Sequence, residues 1–268
     1  MNKICHELHL AKHYMLKPIK NTELVALTLD NVAKVEAMIQ NDAAYLNSGN
    51  INFSEKGGST AYCMCALRNY INSDPKDTNR YREIIFNAVC AVDRDNSTHL
   101  NADGVGRDEI TNRICSIQLK DLINYLKRPH ETEYALVKII ADKTSATKRA
   151  RENKSFASKF CHYACFYLFE GQNEQDNYSI YDSILKNALP YYAEYYKIKI
   201  TKKDLEDYAK YSEIIEKILE MSGNNISKNG FDHLLWYYFK GRNIKNIGIL
   251  EQQGAGRSTH YVLKGQNT

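Results

Sequence analysis

Apolar residues recur at three- and four-residue spacing through most of this chain of 268 residues. The pattern is clearest over residues 79–92, 114–126 and 134–141, where each segment has one apolar face. Alternation of apolar and polar residues, which would indicate strands, is nearly absent from this part of the sequence. The middle of the chain is therefore predicted to be a bundle of α-helices.

Composition places the chain among globular proteins. Hydrophobic residues make up 43% and charged residues 25%, and there are only 13 Gly and 4 Pro, which excludes collagen-like and disordered classes. No apolar run is long enough to cross a bilayer, and the first residues are too polar for a signal peptide. The seven cysteines are scattered, which favours reduced thiols. We expect a cytoplasmic protein without a membrane partner.

Few sequence motifs point to a cofactor or a metal. Phosphate-binding glycine loops and the nucleophile elbow of esterases are missing from the sequence. Cys5, His6, His9 and His13 could meet on a helix and bind zinc, but such a terminal cluster more often binds nothing. The other cysteine pairs lack a matching second pair. We therefore predict no cofactor and no metal site.

Three regions are predicted along the chain. Residues 1–75 form a region of uncertain fold, with one predicted helix that starts at Thr22 and closes at Asn41 and Asp42. Residues 76–242 form the helical domain. Residues 243–268 contain a predicted β-hairpin, because apolar segments flank a glycine-rich turn. This hairpin either packs on the bundle or resembles the wing of a winged-helix module, with Arg257 contacting phosphate.

Helix boundaries are predicted from capping residues. Asn153 is expected to start a helix whose small residues, 157, 158, 161, 164 and 165, allow close approach of another helix. Pro190 is expected to end the next helix. Residues 205–221 are predicted to form one helix that ends before Gly223, and residues 231–239 another that ends before Gly241.

A helix start follows the polar loop at residues 170–177. The step Ile180 to Ser183 places the carboxylate of Asp182 at the helix N-terminus, where backbone N–H groups and the helix dipole favour its ionised form. Such a carboxylate could stabilise the cationic transition state of N-glycosidic bond cleavage. It could equally be only a helix cap.

Three short motifs resemble, in the same order, bacterial proteins of the 8-oxoguanine DNA glycosylase fold, distant relatives of the helix-hairpin-helix DNA glycosylases. The motifs are SFASKF at 155–160, IYDS at 180–183 and FDHLLW at 231–236, and the resemblance covers about residues 80–242. It implies a mainly α-helical glycosylase fold in which Asp182 is catalytic. It also implies an amine nucleophile that forms a Schiff base with the sugar, for which Lys154 and Lys159 compete. Both lysines could instead be solvated or contact phosphate.

The chain departs from the family where a glycine hairpin would grip DNA. Residues 144–151 contain no glycine, and the segment from Asp103 to Arg107 lies in the wrong register and is interpreted as an ordinary turn. The net charge of +4 is too small to establish a nucleic-acid partner but permits a local basic face. Phosphate contacts are therefore assigned to side chains: Lys148, Arg149, Arg151 and Arg257.

A flipped base would need an aromatic pocket, for which Phe156, Tyr163, Tyr181 and Trp236 are available. The same rings could be plain core, and the apolar surroundings of Trp236 favour packing. We expect a DNA glycosylase and abasic-site lyase whose partner is double-stranded DNA, with modified phage DNA suggested as substrate by the association of such proteins with anti-phage defence. The alternatives are a catalytically inactive DNA reader or partner subunit of a defence complex, and a helical protein-interaction module.

Overall fold

The computed structural model describes residues 19, 23–48, 59–73, 77–96, 98, 100, 106–144, 152–254 and 260–264. These residues are mainly helical, with a small antiparallel sheet that includes the predicted hairpin. Within them, no helix combines the length and the apolar character that crossing a bilayer requires. The elements in chain order are β1 Glu23–Val25, α1 Leu29–Ser48, α2 Thr60–Asn72, α3 Thr78–Asp95, α4 Gly106–Ser116, α5 Leu119–Lys127, α6 Ala135–Ala141, α7 Lys154–Leu168, α8 Ser183–Tyr195, α9 Lys202–Glu206, α10 Tyr208–Ser222, α11 Lys228–Phe239, β2 Ile249–Gln253 and β3 His260–Lys264.

The chain forms two compact units. Residues 52–181 form the central unit, which contains α2 to α7. Residues 1–51 and 182–268 form the terminal unit, which contains the sheet, α1 and α8 to α11. The predicted division into residues 1–75, 76–242 and 243–268 stays a prediction.

Helix α7 is the core helix of the central unit. It packs against α2, α3, α5 and α6. It begins directly after Asn153, as predicted, although the Asn153 side chain makes no capping hydrogen bond. Its small-residue side is fully buried, which confirms the predicted close packing; the residues are Ala157, Ser158, Cys161, Ala164 and Cys165.

Two residues of the glycine motif, Gly106 and Arg107, form the start of α4. A Cβ atom at Gly106 would lie 2.2 Å from the carbonyl oxygen of Leu100, so only glycine fits there. Asp93, which is 3% exposed, accepts the N–H of Leu100 and pairs with Arg107 at 2.8 Å. Arg107 thus links the start of α4 to the end of α3; residues 101–105, and with them the predicted turn, lie outside the described part.

The terminal unit is built around α11, which packs on α1, α8, α10 and β1. Its sheet has the order β1-β2-β3, with Leu24 paired to Leu250 and Leu250 paired to Leu263. The hairpin formed by β2 and β3 confirms the β-hairpin predicted within residues 243–268. The helix predicted from Thr22 is wrong at its start, because Val25 belongs to β1 and α1 begins only at Leu29.

Three helix boundaries also differ from the prediction. Helix α1 continues past Asn41 and Asp42 to Ser48. Pro190 lies inside α8, and its ring is exposed. Tyr192, two residues later, is buried. Its packing stabilises the last turn of the helix although proline lacks an N–H donor. The predicted helix 205–221 is divided at Asp207, whose carboxylate caps α10 by accepting the Lys210 N–H.

An ion pair joins α1 to α11. Nδ1 of His233 lies 2.7 Å from Oε1 of Glu36. Burial alone would lower the pKa of His233, but the hydrogen bond to Glu36 and the negative charges of Asp232 and Glu36 outweigh it and raise the pKa. The folded state therefore binds a proton at this ring more tightly than the unfolded state does.

We expect Glu36→Gln to destabilise the terminal unit at acidic pH only. The contribution of a histidine with a raised pKa is complete below its ordinary value of 6.5 and is lost as the pH rises through the folded-state value. Since both side chains are partly exposed, the difference in free energy of unfolding at about pH 5 should stay under about 1 kcal/mol. Urea unfolding at about pH 5 and about pH 9 measures it. An equal loss at both pH values would contradict the prediction, and Glu220→Gln, at an exposed site in the same unit, is the control.

Candidate nucleic-acid interface

Asp182 opens α8, as the sequence predicts. Its Oδ1 accepts the N–H of Leu185 at 2.9 Å, and among the described residues Asp182 makes no further side-chain hydrogen bond. The half-buried carboxylate is thus held at the positive end of the helix dipole. This geometry is that of an N-cap, and the catalytic role of Asp182 stays a prediction.

The segment before Asp182 is fixed on the side of α7. Nδ1 of His162 donates to the carbonyl oxygen of Tyr178 at 2.9 Å, and the N–H of Tyr181 donates to Oγ of Ser158 at 2.9 Å. The hydroxyl of Tyr178 donates to the carbonyl oxygen of Tyr125. Ser158 and His162 lie one helical turn apart, so one face of α7 holds an extended chain segment.

The two candidate nucleophiles lie on α7, in the central unit. Lys154 is the first residue of this helix and pairs with Glu152 at 2.7 Å. Lys159 lies in the second turn and is half-buried. Asp182 belongs to the terminal unit. The residues proposed for one reaction therefore come from two compact units of the chain.

The rings proposed for a base pocket differ in exposure. Phe156 is 1% exposed and packs against Phe160 with ring centroids 6.1 Å apart, so its ring belongs to the core of the central unit. Tyr163 is half-buried and donates its hydroxyl to Asn96. Tyr181 is half-buried as well, and Trp236, also half-buried, lies in the terminal unit.

Lys148, Arg149, Arg151 and Arg257 lie outside the described residues, as do Cys5 and the histidines at 6, 9 and 13. The described part contains no group of three His, Cys, Asp or Glu side chains suited to a metal ion.

Burial raises the pKa of the Cys63 thiol to about 11, which makes this thiol a poor nucleophile.

A cluster of lysines that the sequence analysis passed over follows α8. Lys197, Lys199, Lys202 and Lys203 are all exposed, and none of them forms an ion pair or a side-chain hydrogen bond with another described residue. We call residues 197–203 the lysine segment. Its sequence, KIKITKK, has four lysines in seven residues. Such a density of unpaired lysines is typical of a phosphate-binding surface.

The lysines of this segment lie in the turn that ends α8 and at the start of α9. Lys197 adopts the left-handed conformation that ends α8, and the N–H of Ile198 bonds back to the carbonyl of Ala193, as in a Schellman motif. Thr201 then caps α9, with Lys202 and Lys203 at its first two positions. Positive charges at a helix N-terminus do not stabilise the helix. Helix stability therefore does not explain why Lys202 and Lys203 lie at the start of α9.

The C-terminal ends of α8 and α11 meet the sheet. The hydroxyl of Tyr192 donates to the carbonyl oxygen of Val25 at 2.7 Å, and that of Tyr238 donates to Oε1 of Glu23 at 2.8 Å. The ring of Tyr195 contacts Tyr261 of β3 edge to face at 4.7 Å. The lysine segment, which follows α8, and residues 240–245, which follow α11, therefore begin where these helices meet the sheet. We call this end of the terminal unit the sheet end.

A second group of cations and rings lies at the end of α11. Nζ of Lys240 is 5.4 Å from the centroid of Trp236, and the guanidinium carbon of Arg242 is 5.5 Å from the centroid of Tyr237. Lys245 follows and is exposed, and neither Lys240 nor Lys245 has an ion-pair partner among the described residues. The sheet end thus combines cations with half-buried aromatic rings, and cations and aromatic rings are the two components of nucleic-acid binding surfaces.

Comparison with known protein families, with curated proteins and with solved structures finds no match for this chain. The resemblance to the DNA glycosylases stays a prediction.

Proposed function

We propose that this chain binds nucleic acid through the sheet end of its terminal unit. The observation that carries the proposal is the lysine segment, whose four exposed ammonium groups have no carboxylate partner in the described chain. Four cations within seven residues repel one another, and a polyanion that neutralises them gains affinity by releasing its counterions. Tyr195 and Tyr196 directly precede the segment, and the Tyr195 ring contacts Tyr261.

Fluorescence anisotropy of a labelled oligonucleotide of about 16 nucleotides tests this proposal. We expect binding whose affinity falls as salt is raised, because phosphate contacts exchange with counterions. Binding of an acidic peptide of equal charge in preference to both single and double strands would overturn it in favour of a protein-interaction module.

A second proposal concerns base excision in DNA. The supporting observation is that Asp182 presents a partly accessible carboxylate held at the start of α8. It would stabilise the sugar cation as the N-glycosidic bond breaks, while the amine of Lys154 or Lys159 would attack the sugar carbon. This second proposal includes three further expectations: modified phage DNA as substrate, a cytoplasmic location and a partner in a defence complex.

Borohydride trapping on a duplex with an abasic site tests the lyase step. We expect a covalent adduct with the wild type that one of Lys154→Ala and Lys159→Ala abolishes. Asp182→Asn is a matched variant, because Asn caps a helix as well as Asp does but carries no charge. It should lower glycosylase activity while lowering stability by at most about 1 kcal/mol, the contribution of a charge at a helix N-terminus. If the protein binds the duplex without forming any adduct, the lyase hypothesis fails, and a monofunctional glycosylase or an inactive DNA reader takes its place.

A further inference from the structure

We propose that Trp236 and Tyr237 form a stacking platform for the unpaired bases of a single-stranded nucleic acid. This inference rests on the proposed nucleic-acid binding and names the form of the ligand. The platform consists of the two neighbouring rings, whose centroids are 5.3 Å apart and whose planes are inclined by 56°, so each ring would take a base on its own face.

The burial of α11 sets these two rings apart from their neighbours. Leu234, Leu235, Tyr238 and Phe239 are at most 1% exposed and fill the core-facing positions of the helix. Trp236 and Tyr237 are half-buried on the remaining side. An amphipathic helix normally carries polar residues there, so two adjacent large rings on that side are not explained by packing of the core.

Cations accompany both rings. Lys240 lies one turn after Trp236, and Arg242 approaches Tyr237 from the chain beyond the helix. The ammonium of Lys240 sits on a flexible stem and can move from the ring to a phosphate when a base takes its place. A base on a ring and a phosphate on the adjacent cation is the arrangement used by single-strand-binding surfaces.

The geometry of the sheet end favours a single strand over a duplex. Bases of a duplex are stacked on each other and cannot lie on a protein ring without being unpaired. The lysine segment consists of a turn and the five-residue helix α9, which is too short to fill a major groove. Rings and cations on short segments can follow the backbone of a single strand.

Trp236 is the only tryptophan of the chain, so its fluorescence reports on this position alone. Titration with an oligothymidylate of about 16 nucleotides should quench this emission along with the rise in oligonucleotide anisotropy, because a stacked base quenches the indole. The same strand annealed to its complement should bind more weakly and quench less.

Three variants separate stacking from general structural damage. Trp236→Leu should weaken single-strand binding by about 5- to 160-fold, the usual range for loss of one stacking ring. Trp236→Phe keeps an aromatic face and should retain affinity within a few-fold. Tyr62→Leu removes the exposed ring of α2 in the other unit and should change nothing. Circular dichroism of each variant verifies the fold.

The two readouts distinguish the possible failures. Anisotropy that rises without quenching, together with unchanged affinity of Trp236→Leu, would overturn the stacking platform and leave nucleic-acid binding intact. Equal affinity and equal quenching with the duplex would overturn the preference for a single strand. Absence of any anisotropy change would overturn the proposed function itself.

Discussion

Replacing the four lysines at 197, 199, 202 and 203 by glutamine is expected to weaken nucleic-acid binding on the order of 100-fold at low salt. Each phosphate contact contributes about 0.7 to the salt slope of single-strand binding, so the slope should become shallower by about 3 if all four contact phosphate. The lysines are exposed and unpaired within the described chain, and the change should therefore leave stability nearly unaltered.

A variant of equal charge serves as the control for this prediction. Glutamine at four exposed lysines of the central unit lowers the net charge by the same amount; they are Lys120, Lys127, Lys138 and Lys143. If binding depended only on net charge, both variants would lose affinity equally, and the assignment to the lysine segment would be wrong. Anisotropy titrations at several salt concentrations measure affinity and slope together.

Asn31→Ala is expected to lower the free energy of unfolding of the terminal unit by about 3 kcal/mol. The buried Asn31 side chain donates to the carbonyl oxygens of Ala26 and Gly248 and accepts the N–H of Gly248, at 2.8 to 2.9 Å. Both carbonyls keep another backbone donor, from Thr28 and Ala26 respectively. The Gly248 N–H loses the partner it has here, and an unpaired buried donor accounts for most of the cost.

Urea unfolding followed by Trp236 fluorescence measures this loss, because that ring belongs to the same unit as Asn31. Asn187→Ala, on the exposed side of α8, removes an asparagine from the same unit and should cost almost nothing. A loss below about 1 kcal/mol for Asn31→Ala would show that water replaces its hydrogen bonds, and that this residue does not hold the sheet on α1.

Local signals were sufficient for most of the helices. The start of α8 follows from the capping carboxylate of Asp182, and Gly223 ends α10 because glycine readily takes the left-handed conformation found there. The start of α7 was also predicted, although the Asn153 side chain makes no capping hydrogen bond there. The hairpin was likewise predictable, since two apolar segments flank a glycine-rich stretch of sequence. In such elements, the interactions that select the structure lie within a few residues along the chain.

Contacts distant in sequence decided the rest. Strand β1 has three residues and exists because it pairs with β2, more than 200 residues later. The turns of α8 after Pro190 depend on Tyr192, whose ring is buried and whose hydroxyl reaches Val25. Neither pairing can be inferred from the local sequence, because period and capping carry no information about distant partners.

The candidate interface divides in the same way. The sequence by itself determined a mainly helical chain, the position of Asp182 at a helix start and the presence of lysines at 197–203. Only the tertiary structure decided that those lysines lack carboxylate partners in the described chain and that Trp236 lies half-exposed beside Lys240. The physical reason is that charge neutralisation and burial depend on which elements pack together, and periodicity records only that a face is apolar.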